Sequence, residues 1–235
     1  MVRLGSCRAV LVVLVLLMDL PALAEVDEAL LTDGWSEVLF DGKAPNRFEA
    51  FGEDGVAVIS ERSVSLLQKS LSVDLQKNPV LTWRWQVTIA APPTDLGVKG
   101  GDDRSLALYV AFPFVPEEAG VMERMQRAIV EKTIGKRAPG RVLIYIWGGE
   151  GKRDDRMFSP YMDDAGMMTI LRPASTETGR WQSEGVDIAE DYRRSFGTEP
   201  PDPMSIAIGA DTDDTESMVR SMIVDLAFIG GSPDF

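Results

Sequence analysis

The chain has 235 residues, enough for one domain with a substantial core, and sets 24 basic side chains against 37 acidic ones. Its net charge of −13 repels phosphate backbones and anionic bilayers, which excludes nucleic acid as a natural partner. It contains no histidine and a single cysteine, Cys7, so a Ser-His-Asp triad and the usual zinc ligand sets are excluded.

Residues 1–24 read as a secretory leader. Arg3 and Arg8 form a positive start, 9–20 is an apolar run broken only by Asp19, and Pro21 precedes an Ala22-Leu23-Ala24 cleavage site. The run is too short to span a bilayer comfortably, and the alternative is an uncleaved anchor. Cleavage after Ala24 predicts a periplasmic or secreted protein with no stable membrane insertion, and residues 25–235 as a single domain. It removes Arg3, Arg8, Asp19 and Cys7, leaving 22 basic and 36 acidic side chains, net −14, and no thiol. Such a domain is held by packing without disulfides.

The remaining chain reads mostly as strands. Segments 37–40, 48–51, 56–60 and 64–73 flank the turns at Asp41-Gly42 and Glu61-Arg62. Segment 81–89 alternates cleanly, placing Leu81, Trp83, Trp85, Val87 and Ile89 on one face and Thr82, Arg84, Gln86 and Thr88 on the other. Core burial is the preferred reading of Trp83 and Trp85, which sends Arg84 outward, where it is a candidate ligand contact. Strands at 105–112, 141–147, 167–171, 181–186, 205–210 and 218–229 follow, separated by Gly- and Pro-rich turns. In the last, Met222, Val224, Leu226 and Phe228 form one apolar face, and Asp225 shares the other with Ile223 and Ala227, which predicts a partly buried carboxylate. Helices are predicted over 116–133, with charges suited to the helix dipole at both ends, and over 187–196, stopped by Gly197. Many short strands and few helices predict a mainly β fold, an antiparallel two-sheet jelly-roll-like β-sandwich with one or two inserted helices.

Several segments together resemble a known family. They are Leu81-Thr82-Trp83-Arg84-Trp85, Gly101-Asp102-Asp103-Arg104 running into Tyr109-Val110-Ala111-Phe112, Ile144-Tyr145-Ile146-Trp147-Gly148, and Ser159-Pro160-Tyr161. Gly179-Arg180-Trp181, Glu184, Asp191-Tyr192, Phe196-Gly197, Pro200-Pro201 and Asp211-Thr212-Asp213-Asp214-Thr215 complete the set. Their order and spacing resemble an exported bacterial family known as a domain of unknown function, DUF number three thousand and forty-seven, from about Trp35 to the C-terminus. The resemblance implies a periplasmic sandwich-like domain and brings no catalytic residues. The chain departs from the family at Ser159 and Asp214, where Asn is usual.

The richest stretch of oxygen ligands is the 211–215 loop. Its carboxylates suit a hard cation such as calcium, with Asp211 and Asp213 as the candidate ligands. An EF-hand is excluded, because Glu216 and Met222 stand where Gly and Glu are required. Read alone, the loop is a turn in which Asp and Thr bond local N–H groups. If strands 105–112 and 205–210 are antiparallel neighbours, Asp102 and Asp103 meet the loop, and an adjacent 141–147 strand brings Glu150 and its Gly-rich turn to the same rim. Trp147, beside that turn, is the aromatic best placed to stack on a ligand. The expected function is a non-enzymatic module binding carbohydrate or another envelope polymer. The rivals are a carboxylate-dependent glycan hydrolase or lyase, for which Asp102, Asp103, Glu150 and Glu184 are candidate acids, and an envelope assembly factor.

Overall fold

The computed structural model describes residues 25–116 and 139–231; the predicted helix over 116–133 lies outside these bounds but for Pro116. The strands are β1 (Glu25–Val26), β2 (Trp35–Leu39), β3 (Arg47–Phe51), β4 (Gly55–Glu61), β5 (Ser65–Ser70), β6 (Val80–Ile89), β7 (Arg104–Phe112), β8 (Arg141–Trp147), β9 (Arg156–Phe158), β10 (Gly166–Arg172), β11 (Gln182–Asp187), β12 (Ser205–Asp211) and β13 (Met218–Ile229). They form a six-stranded sheet ordered β1-β3-β4-β13-β6-β11 and a seven-stranded sheet ordered β2-β5-β12-β7-β8-β10-β9. Pairing is antiparallel except for β1–β3 and β8–β10, which are parallel, so the expected antiparallel fold holds in the main. Among the described residues no helix is long and apolar enough to cross a membrane.

One core cluster draws on both sheets. Trp83 and Trp85 of β6 project towards β8, where Trp83 meets Tyr145 at 5.7 Å and Trp85 meets the edge of Trp147 at 5.6 Å between ring centroids. Leu67, Leu106, Leu108, Leu143 and Ile208 fill the remaining space from the seven-stranded side. A second, smaller cluster of Leu96, Ala107, Val142, Ile144, Ile146, Met168 and Ile170 covers part of the opposite face of that sheet. β8 is therefore apolar on both faces, as strands covered on two sides are.

The last strand departs from the alternation read in the sequence. Its register with β6 shifts between Val224 and Ala227, and Asp225 takes a left-handed backbone with φ of 58°. The bulge reverses the inward parity. Before it Val219 and Ile223 enter the core; after it Leu226 and Phe228 pack against the core. Asp225 consequently stands exposed, paired with Arg84 rather than partly buried.

Helix α1 (Glu28–Thr32) is a single short turn, and α2 (Ile188–Phe196) closes one end of the core. The Asp187 side chain caps α2 by accepting from Glu190 N at 2.8 Å, and Gly197 ends it at φ of 74°. Tyr192 packs edge-on to Phe112 at 4.6 Å, and Tyr145 donates to Asp191 Oδ2 at 2.9 Å.

Glu184 on β11 is wholly buried and accepts hydrogen bonds from Trp85 Nε1 at 3.1 Å, Arg153 Nη2 at 3.0 Å and Arg172 Nε. A buried carboxylate costs free energy unless it is paired and bonded, and here every neighbour is a donor. That environment makes Glu184 a structural acid rather than a reacting one. Glu184→Ala strands the largely buried Arg172 guanidinium and the Trp85 indole N–H, so we expect a loss of about 3 kcal/mol in unfolding free energy. Urea denaturation measures it, and an unchanged midpoint would contradict the role.

Candidate functional site

Across the outer face of the seven-stranded sheet runs a groove of about 640 Å³, and its origin lies in side-chain size. Beside the taller Tyr109 of β7, the two central strands line the groove with small residues, Ala111 on β7 and Ala207 on β12, and Gly209 follows along β12. Taller residues flank them, Val38 and Leu66 on one side and Val142, Ile144 and Met168 on the other. Gly209 is required, because a Cβ there would come within 2.6 Å of both Leu66 Cδ2 and Ser65 O.

One end of the groove is charged. β12 and β7 are antiparallel, and Asp211 is the Cα partner of Arg104. The buried Arg104 guanidinium donates through Nη1 to Asp102 O at 2.6 Å and Asp102 Oδ2 at 2.8 Å, and through Nη2 to Tyr109 Oη at 2.8 Å. Its Nη1 also lies 3.5 Å from Asp211 Oδ2. Burial opposes the charge on Arg104, but Tyr109, Asp211 and Asp102 more than offset it and hold the group protonated.

Asp211 is the strained member. Its Oδ1 is shielded from solvent with no donor in reach among the described residues. Burial pushes its pKa up to about 8; Arg104 pulls against this, while Asp213, Asp102 and Asp103 add to it. Its carboxyl neighbour Asp213 is held below the usual range: burial opposes this, but bonding to Asp211 and Lys43 outweighs it. Two carboxylates are both acceptors, so they bond each other only when one carries a proton. The shifts assign that proton to Asp211 and the charge to Asp213, which pairs with Lys43 from the β2–β3 loop.

The rest of the 211–215 loop is the hydrogen-bonded turn that its composition suggests. Asp103 is fully buried and accepts at Oδ2 from Thr215 N at 2.7 Å and Thr215 Oγ1 at 2.5 Å. Thr212 Oγ1 lies 2.8 Å from Ser60 Oγ and accepts from Ser63 N at 3.2 Å. Carboxylate oxygens of Asp103, Asp213 and Asp214 lie within 4.8 Å of one another, a trio that shares only Asp213 with the expected ligand pair. Tyr161, more than half exposed, and Phe40 stand at the rim, and Tyr161 Oη accepts from Gly100 N at 3.0 Å.

A family model described as "Protein of unknown function (DUF3047)" matches residues 33–227. The chain belongs to this family. Every groove-lining residue of this DUF3047 protein, from Val38 to Asp214, falls inside the matched region. The fold is similar to the xyloglucanase domain of NopAA, a type three effector from Sinorhizobium fredii in complex with cellobiose. That likeness has a TM-score of 0.45 at 10% identity and covers 85% of this chain and 95% of that one. No curated protein matches.

In the DUF3047 fold the sequence-derived candidates divide. Asp102 and Asp211 converge on Arg104, and Asp213 joins them in the groove; Asp103 sits behind, holding the loop. Trp147 is a correction: it is 0% exposed, wedged against Trp85, and has no surface to offer a ligand. Arg84 is another, for it lies on the outer face of the six-stranded sheet, paired with Asp225 and 5.6 Å from the Trp181 ring centre. The 148–156 turn reaches the rim at Gly148, where a Cβ would come within 3.0 Å of Arg104 Cα. Glu150 itself is exposed and does not line the groove. Lys43, Tyr109 and Tyr161 escaped the sequence reading as ligand contacts; Lys43 meets a residue 170 positions away, and no local signal announces that.

The raised Asp211 carboxyl has a stability consequence. With a folded pKa of about 8 against roughly 4 unfolded, its contribution is present in full below pH 4 and is lost as pH rises to about 8. Asn mimics the neutral acid and can donate to Asp213 without titrating. In the presence of a chelator, Asp211→Asn should therefore gain at least about 1 kcal/mol on wild type between pH 4 and pH 8. A difference independent of pH would show that Asp211 is ionised throughout.

Proposed function

We propose that this protein is an exported binding module that holds a segment of carbohydrate, or a comparable envelope polymer, in the groove without turning it over. One observation carries the reading: an open groove with an apolar floor ends in a cluster of hydrogen-bond acceptors beside exposed rings at Tyr161 and Phe40. Sugar rings have apolar C–H faces for such a floor and for ring stacking, and hydroxyl donors for the carboxylates. The two carboxyls with split proton affinities do not favour hydrolysis. Asp211 and Asp213 bond each other, whereas glycosidases hold their acids about 5–5.5 Å apart for retention and about 6.5–9.5 Å for inversion.

Filling the floor tests this directly. Ala207→Trp should abolish binding to whichever neutral, amino or acidic oligosaccharide a glycan array selects, at least about tenfold by calorimetry, with the melting temperature preserved. Undiminished binding would move the site elsewhere.

A second reading, a hard cation such as calcium between Asp103, Asp213 and Asp214, is favoured by the 4.8 Å spacing of their oxygens. A cation held only by the native state raises its stability. On this reading millimolar calcium raises the melting temperature and a chelator lowers it; identical melting curves dismiss the ion.

A further inference from the structure

Resting on the groove as a carbohydrate site, we infer that its ligand is an amino sugar oligomer, which sets a protonated amine against Asp211, Asp213 and Asp214. Charge balance in the lining leads there. Among the described residues five carboxyl groups face the groove, Asp41, Asp102, Asp211, Asp213 and Asp214, of which Asp211 holds its proton, against the cations Arg104 and Lys43 in the lining, with Lys99 over the Tyr161 ring at the rim. Both lining cations are committed. Arg104 is buried under Asp102, Asp211 and Tyr109, and Lys43 is paired with Asp213. Asp214 is exposed and forms no ion pair among the described residues.

The second observation is independent of this count. The Asp211 side chain is nine-tenths buried and lines the groove, and its Oδ1 lacks any donor among the described residues. A buried acceptor without a donor is costly, and a ligand that supplies one relieves it. A hydroxyl would satisfy the hydrogen bond; an ammonium group satisfies the bond and the surplus of negative charge together. The same surplus repels uronate, sulfate and phosphate groups. An N-acetylated sugar has the shape but not the charge, so it is the discriminating comparison.

The experiment is calorimetric titration of the mature chain with tetramers of β-1,4-linked glucosamine, β-1,4-linked N-acetylglucosamine and α-1,4-linked galacturonate, at roughly pH 6, where an ordinary carboxylate is ionised and Asp211 still holds its proton. A chelator is present throughout. The glucosamine tetramer should bind at least about tenfold more tightly than the N-acetylated one, and the galacturonate tetramer not at all. Asp214→Asn, at an exposed position where folding is preserved, should remove most of that preference, and Asp213→Asn gives an independent second variant. Glu177→Gln makes the same change in net charge at a remote exposed residue and should leave the preference intact. Equal affinity for the amine and N-acetyl tetramers, or equal loss in Glu177→Gln, overturns the amino sugar inference while the groove reading stands. No binding of any tetramer removes both.

Discussion

The buried guanidinium of Arg104 is the interaction on which the groove depends. Opening β7, it stands opposite Asp211 at the end of β12, and it reaches Asp102 behind it and Tyr109 five residues along its own strand. A buried cation needs acceptors on several sides, and these three define one wall of the groove. Burial raises the proton affinity of Asp211, and Arg104, which Asp102 also engages, counters it only in part, while Oδ1 of Asp211 has no donor among the described residues. The polar end of the groove is thus a by-product of how two adjacent strands terminate.

The groove itself follows from a sheet whose inner face is covered and whose outer face the described residues cover only in part. The inner face of the seven-stranded sheet joins the aromatic core through Tyr145 and Trp147. On the outer face the second apolar cluster builds up over β8 and β10, while the groove-lining Ala positions of β12 and β7 stay low. A depression with a hydrophobic floor results, bounded at one end by carboxylates. Sheet geometry and side-chain volume are sufficient to make it; no cavity has to be held open in the core.

Much of this was legible in the sequence, for reasons that differ by element. β6 faces the core with one side and solvent with the other, so its period of two identified Trp83 and Trp85 as buried and Arg84 as outward. The neighbouring of the 102–104 and 211–215 segments followed from strand order. β8 defeated the same method: both its faces are covered, so alternation gave no ground for choosing between Tyr145–Trp147 and Ile144–Ile146, and Trp147 was placed on the wrong side. In β13 a bulge at Asp225 interrupts the period itself. The groove left no pattern, because it arises from residues on six strands, and the Lys43–Asp213 pair is a long-range contact between two loops.

Hydrogen exchange with and without a glucosamine tetramer tests most directly whether the outer face of the seven-stranded sheet is the binding face. The central strands already exchange slowly, so the informative amides are those of the loops around the charged end. Added oligosaccharide is predicted to slow exchange in 40–43, 99–102, 159–162 and 211–215 while the opposite surface around Arg84, Gly179 and Trp181 is unchanged. Protection confined to that opposite surface would contradict the account.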